Sequence, residues 1–294
     1  MTIKKFSVII PVYGQWNLVK RNVDSILSFD RNSFYEIILV DDCSPEPNPY
    51  NFDKDLVKIL RNEFNLGYSG TVNRGLKKAK SDVILLLDSD AFLIEPVVSN
   101  ILKMYDLDNN IGCIGFKTVD NLGFRTGSYC YEPLTIGLIL GQFLESKIEK
   151  LYFLKKRNIM PYSCSVSFRK NCLEEIGYLD EKLFPVLDAD IDIAMRIHTS
   201  RWKLIMNEDI SICHSGGNSY KINYKRVLLH YQSRWQLLLK HKLLKYPKIS
   251  KFFIISRLSI EYLIFFIIHI INRKTIVKEK QDGRLLIIKE VKAF

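Results

Sequence analysis

The chain has 294 residues, 47% of them hydrophobic and 26% charged, with a formal net charge of +11. That length allows a large core in one domain, or one domain with an appendage. Residues 221–294 hold 17 Lys and Arg against 4 Asp and Glu, while residues 1–220 hold 26 against 28, so the near-neutral first part argues against a nucleic-acid reader and divides the chain at 220/221.

In chain order, "FSVIIPVY" is an apolar run that predicts a strand buried on both faces, and "NLVKRNVDSIL" places Leu18, Val23, Ile26 and Leu27 at helical spacing. "YEIILVDDCSPEPNP" is a second strand that runs into Asp41 and Asp42 and then a Pro-rich turn, where Asp41 suits an Asx turn. "VKILRN" is a third, short strand. "NLGYSGTVNRGLKKAKSD" is a glycine-rich loop opening a helix that Ser69 is expected to cap. It delivers the chain to "VILLLDSDAF", a buried strand ending at Asp88 and Asp90, ahead of a helix begun by Glu95 and Pro96. Strands alternating with helices predict an α/β fold with a mostly parallel sheet, whose strand carboxyl ends bind the ligand.

Two neighbouring carboxylates raise each other's proton affinity unless a cation neutralises them, so Asp88 and Asp90 suggest a hard divalent metal. The alternative is a solvated turn with one aspartate capping the next helix. A calcium loop fits poorly, since its sixth position would be Leu93 and its twelfth Ser99. Further on, "IGCIGF" and "SCSVSF" are strands separated by a less regular stretch near 118–160 that is expected to shape a substrate pocket. "DADIDIAMRIHTSRW" is a helix whose macrodipole favours an ionised Asp190, with Asp188 suited to its N-cap. "ISICHSGGNS" is a strand ending at His214. Cys43, Cys113, Cys130, Cys164, Cys172 and Cys213 form no C-x-x-C pair, and "MTIKKFSVIIPVYG" is too short an apolar start for a signal peptide, which together predict reduced thiols and a cytoplasmic protein.

The tail reads differently. "FFIISRLSIEYLIFFIIHII", residues 252–271, is long enough to span a bilayer, but Arg257, Glu261 and His269 argue against a lipid-exposed span, and Arg257 can pair with Glu261 one turn on. Nine Lys and Arg and no acid lie between Lys221 and Lys251. The combination fits a helix lying on an anionic membrane surface; the alternatives are a helix covering the first domain or a homodimer interface.

Five stretches, "SVIIPVY", "ILVDDCS", "NLGYSGTVNRG", "LLLDSDAF" and "DADIDIAMR", resemble in their order and spacing the family 2 glycosyltransferases, and in particular the rhamnosyltransferase-like enzymes of bacterial glycan assembly. The resemblance covers about residues 5–220 and implies a GT-A nucleotide-sugar-binding domain with a C-terminal helical extension. It implies an inverting, Mg²⁺- or Mn²⁺-dependent enzyme that takes a UDP- or dTDP-type nucleotide-diphosphate sugar and a glycan or lipid-linked acceptor at the inner face of the cell membrane. In this family's pattern Asp42 accepts a hydrogen bond from the base, Pro11 and Tyr13 line the same pocket, and Asn65 and Gly67 bring backbone close to the nucleotide. Asp90 is the direct metal ligand, Asp88 serves the ribose or the metal's water shell, and His214 is a further metal or phosphate contact or simply a polar strand end. Asp190 is the general base. Family members usually carry Glu-Asp where this chain has Ala189-Asp190, followed by Asp192 and Arg196, a departure that keeps open a nucleotide-sugar-binding protein without transferase activity. "QSRW", Gln232 to Trp235, falls one residue short of the Q-x-x-R-W of processive polysaccharide synthases, so transfer of a single sugar is expected over a processive, synthase-like reaction.

Overall fold

The computed structural model describes residues 6–31, 33–141, 144–145, 147, 157–214, 224–273 and 275–294. Its elements begin with β1 (Phe6–Val12), α1 (Trp16–Asp30), β2 (Phe34–Asp41), β3 (Val57–Arg61), α2 (Gly67–Lys78), β4 (Val83–Leu87), β5 (Ala91–Leu93) and α3 (Val98–Leu107). They continue with β6 (Ile111–Val119), β7 (Tyr129–Tyr131), α4 (Thr135–Leu140), β8 (Ile159–Pro161), β9 (Ser165–Arg169), α5 (Lys170–Ile176), α6 (Ala189–His198) and β10 (Lys203–His214). Three helices follow: α7 (Tyr224–Lys240), α8 (Pro247–Asn272) and α9 (Thr275–Ala293). The chain packs as two compact units, one of Met1–Cys130 with Ile159–Ser219, the other of Tyr131–Asn158 with Tyr220–Phe294.

The first unit is built on an eight-stranded sheet in the order β3-β2-β1-β4-β9-β6-β10-β5. Four neighbouring pairs are parallel (β2 with β3, β1 with β2, β1 with β4, β6 with β10). β9 runs antiparallel to both β4 and β6, and β5 antiparallel to β10. All five side chains of β4 are fully buried, as a central strand with covered faces requires. One core cluster joins Val8, Ile10, Leu39 and Leu85 of the strands to Val19, Val23 and Ile26 of α1 and Ile101 and Tyr105 of α3. The carboxyl ends of β1, β2, β4 and β10 therefore share one edge of the sheet. Reversed β9 brings its amino end to that edge, with Ser165 opposite Leu87.

Two capping expectations differ from the structure. Leu66, not Ser69, stands at the N-cap of α2; the Ser69 hydroxyl instead donates to the Phe184 carbonyl at 2.5 Å. Asp188 does occupy the N-cap position of α6, but in a left-handed conformation (φ 62°) and with no side-chain capping bond.

The second unit has its own core, in which Leu138 of α4 meets Tyr231, Trp235 and Leu238 of α7, Ile254 and Leu258 of α8, and Ile287 and Val291 of α9. Trp235 of the "QSRW" stretch is 3% exposed, a core residue of this unit. Arg257 pairs with Glu261 as the sequence suggested and also reaches the Tyr231 hydroxyl and the Ile139 carbonyl. Glu261 bonds in turn to Arg284 of α9, and Lys251 near the start of α8 reaches the Phe294 carbonyl at 2.5 Å, so α8 and α9 form an antiparallel hairpin.

Candidate active site

The residues singled out by the sequence lie along the carboxyl edge of the first unit's sheet, but they do unlike things there. At the end of β2 the Asp41 carboxylate accepts from Arg61 and from the Ser44 amide at 2.8 Å. Asp42 accepts from Asn62 Nδ2 at 2.8 Å and from the Leu66 and Gly67 amides at 2.7 and 3.1 Å. A carboxylate offers about four acceptor positions, so Asp42 spends most of its capacity pinning the glycine-rich loop. Asn65 reinforces that loop: its Oδ1 accepts from the Gly67 amide at 3.0 Å, and its Nδ2 reaches the Asp42 carbonyl at 3.5 Å. Pro11 lies buried within β1, and Tyr13 just beyond it is 53% exposed.

Gly67 is where the loop must be glycine. Its φ is +74°, and a Cβ there would stand 2.9 Å from the Pro185 carbonyl oxygen. The close approach straps the segment before α6 onto the start of α2: the Ser69 amide donates to the Pro185 carbonyl at 3.0 Å, and Asn73 bonds both the carbonyl and the amide of Leu179. Arg196, held by Asp192 at 3.0 Å, donates to the carbonyls of Ile176, Gly177 and Tyr178 and ties α6 to the end of α5.

β4 ends in a tighter cluster. Ligand-type atoms of Asp88, Asp90 and His214 all lie within 4.8 Å of one another, His214 Nε2 standing 3.4 Å from Asp90 Oδ1. The sheet enforces this meeting, because β5 turns back from Asp90 to pair with β10 and sets Ala91 opposite His214. The Asp88 backbone is fixed on both sides: its amide donates to the Cys164 carbonyl at 3.0 Å and its carbonyl accepts from Asn22 Nδ2 at 2.9 Å. Burial, and then the charge of Asp90, raise the Asp88 carboxyl to about 6. The hydrogen bond to Asp90, then one to Cys164, raise His214 to about 11. Two carboxylates and an imidazole, partly open to solvent, fit a divalent cation with coordination positions left for a substrate.

Asp190 stands at the start of α6. Burial, and then the charge of Asp188, raise its carboxyl to about 6. Its Oδ1 accepts from the Ile191 amide at 2.9 Å and its Oδ2 from the Ser163 amide at 3.4 Å. Behind it a narrow cavity lined by Leu86, Val166, Phe168, Ile193 and Ala194 supplies the apolar wall that strips its water.

Two residues that the sequence did not mark stand between these groups. The Tyr68 hydroxyl is 2.9 Å from Asp88 Oδ1 and 2.8 Å from Ser163 Oγ. Burial, then Asp88, push the phenol above its usual range, so it stays protonated and donates. Tyr68 sits inside the quoted "NLGYSG" and Ser163 beside "SCSVSF", yet neither position carries a spacing that could have singled it out.

Comparisons with known proteins identify the family and the type of fold. The sequence model described as glycosyl transferase family 2 matches residues 7–177. An uncharacterized glycosyltransferase of Haemophilus influenzae is 26% identical over 211 residues, which are 70% of this chain and 67% of that protein. A dolichol-phosphate mannosyltransferase of Pyrococcus furiosus is 36% identical over 181 residues, 58% of this chain and 48% of that one. Longer relatives are matched over only 27% and 17% of their own length. Among solved structures, the mannosyltransferase PcManGT of Pyrobaculum calidifontis, in complex with GDP-Man and Mn²⁺, superposes with a TM-score of 0.59 at 12% identity, covering 97% of this chain and 85% of that one. That likeness establishes the GT-A type of fold.

Proposed function

Because the chain belongs to glycosyl transferase family 2, we propose that it is a metal-dependent, inverting glycosyltransferase that moves one sugar from a nucleotide-diphosphate sugar to a hydroxyl of a glycan or lipid-linked acceptor. The observation that supports this reading is the meeting of Asp88, Asp90 and His214 within 4.8 Å, with the desolvated carboxylate of Asp190 linked to them by hydrogen bonds. Bound Mg²⁺ or Mn²⁺ would neutralise both the carboxylates and the charge that grows on the departing diphosphate. Asp90 and His214 hold the ion, and Asp88 serves it or the ribose. The pocket of Pro11, Tyr13, Asn65 and Gly67, anchored by Asp42, receives a UDP- or dTDP-type nucleotide. Asp190 takes the proton of the acceptor hydroxyl as its oxygen bonds to the anomeric carbon. The bond from that carbon to the diphosphate breaks on the opposite face, and the nucleoside diphosphate leaves with the electron pair. A carboxyl poised near 6 is ionised at neutral pH and still basic enough to take a proton.

The test is a panel of UDP-, dTDP- and GDP-sugars, scored for Mn²⁺-dependent thermal stabilisation and then for product. One donor should stabilise the wild type with Mn²⁺ and not with EDTA, Asp90→Ala should lose that stabilisation, and product NMR should show an inverted anomeric centre. Stabilisation by no donor, or by all of them equally without metal, would end the reading.

A bilayer surface is the second part of the proposal. Phe252, Phe253, Ile260, Leu263, Ile264, Ile267, Ile270 and Ile271 of α8 are each about half exposed or more, and recur every three or four residues opposite the buried Ile254 and Leu258. Lys245, Lys248 and Lys251 flank one end of this stripe and Arg273 the other. The hairpin favours lying on the membrane over crossing it, since α9 packs back along α8 with eight charged side chains among its 19 residues. The 294-residue chain carrying Leu263→Glu with Ile267→Glu should lose co-sedimentation with vesicles rich in anionic lipid. Unchanged sedimentation, or conversion of a wild-type dimer into monomer, would assign the stripe elsewhere.

A further inference from the structure

The hydrogen bonds at the amino end of α2 join two groups that the proposed reaction uses separately. Tyr68 has one hydroxyl proton and three acceptors within reach: Asp88 Oδ1 at 2.9 Å, Ser163 Oγ at 2.8 Å and the Ser163 carbonyl at 3.4 Å. The phenol is the donor to both residues, so its single proton is shared between the metal-side carboxylate and Ser163. Ser163 in turn offers its backbone amide to Asp190 Oδ2 at 3.4 Å. Its neighbours are pinned, the Tyr162 amide to the Ser128 carbonyl and the Cys164 carbonyl to the Asp88 amide, each at 3.0 Å. The direction of the Ser163 peptide therefore rests on three anchors, of which Tyr68 is the one that also holds the metal-side carboxylate.

We propose that Tyr68 is a positioning residue that sets Asp88 for the cation and, through Ser163, sets Asp190 for the acceptor hydroxyl, so that the two sides of the transfer are aligned by one phenol. The proposal rests on the transferase reading above. The loop's own fold is held by Asp42, Asn65 and the glycine at 67. The hydroxyl of Tyr68 thus serves side chains outside the loop that carries it.

Tyr68→Phe removes one oxygen and keeps the ring, and Ser163→Ala, a milder change on a half-buried position, guards against a folding artefact in the first. Mn²⁺ binding, titrated by electron paramagnetic resonance on protein alone and with nucleoside diphosphate, should weaken about 10–100-fold in Tyr68→Phe, the range for loss of an outer-shell partner of a metal ligand, and less than about threefold in Ser163→Ala. At saturating Mn²⁺ and donor, kcat should stay about tenfold low in both variants with the acceptor KM unchanged, and the double variant should cost no more in kcat than Tyr68→Phe alone, as for residues acting through one another. Wild-type Mn²⁺ affinity in Tyr68→Phe, or kcat losses that multiply in the double variant, would overturn the bridge while leaving the transferase reading intact. Weakened Mn²⁺ binding in Tyr68→Phe of a protein that transfers no sugar would leave the metal arm of the bridge standing and remove the transferase.

Discussion

Strands β2 and β4 both run apolar into a pair of aspartates at the same edge of one sheet, yet the two pairs meet different surroundings. Asp41 and Asp42 are met by Arg61, Asn62 and three backbone amides. Asp88 and Asp90 are met by a phenol, an imidazole and each other, and Asp88 is driven up to about 6. The first pair is stabilised by permanent donors that hold the backbone in place. The second is held in a state that a cation would relieve. A carboxylate at a strand end is thus a weak indicator of chemistry; how many fixed donors surround it is a stronger one. Asp190 belongs with the second group, its carboxyl raised to about 6 and an apolar wall behind it.

Asp190→Asn probes that contrast most severely. It should lower kcat by about 10²–10⁴-fold, the usual worth of a general base, while metal-dependent donor stabilisation persists. Turnover within a few-fold of wild type would place Asp190 with the structural carboxylates. Asp42→Ala should give the opposite signature: equilibrium denaturation should show a loss of about 2–3 kcal/mol, because two backbone amides and Asn62 lose a charged acceptor in a largely buried place. No loss of stability there would dissolve the distinction between the two strand ends.

The third test turns on sign. The folded value of Asp190 is about 6 against 3.8 for an ordinary aspartate, so folding favours its protonated form and stability falls as pH rises between those values. Asp190→Asn should therefore stabilise the fold at pH 7.5, by ~1–3 kcal/mol, and the gain should vanish below about pH 4. The smallest effect belongs to kinetics: wild-type kcat at saturating Mn²⁺ and donor should fall with unit slope only below about pH 6, and a limb near 4 would mean that another carboxyl limits the rate.

The regular parts of the fold were legible because their signals are local. β1, β2 and β4 are apolar runs that stop at polar residues, and α1 and α6 show helical spacing, although α6 stops at His198, short of the "TSRW" read as part of it. What escaped depended on partners far along the chain. β9 is only five residues long, and nothing in "SVSFR" says that it wedges antiparallel between β4 and β6. Ser69 looks like a cap from its position in "GYSG", but the carbonyl of Phe184, 115 residues on, takes its hydroxyl. The family pattern marks Asp42 as a base contact, whereas the three donors that occupy it become visible only when β3 and the loop before α2 fold against it. Tyr68 and Ser163 lie 95 residues apart, and no periodicity connects them.

The described residues between Tyr131 and Asn158 fold with the C-terminal helices, not with the sheet elements on either side of them in sequence. Leu138 enters the same cluster as Tyr231 and Trp235, and the Thr135 hydroxyl donates to the Leu243 carbonyl at 3.0 Å. Anyone grafting a relative's tail onto this protein at residue 220 would leave α4 facing foreign side chains. The exchangeable cassette comes in two pieces, and a chimera that moves only the second would inherit a mismatched core whatever the compatibility of its catalytic half.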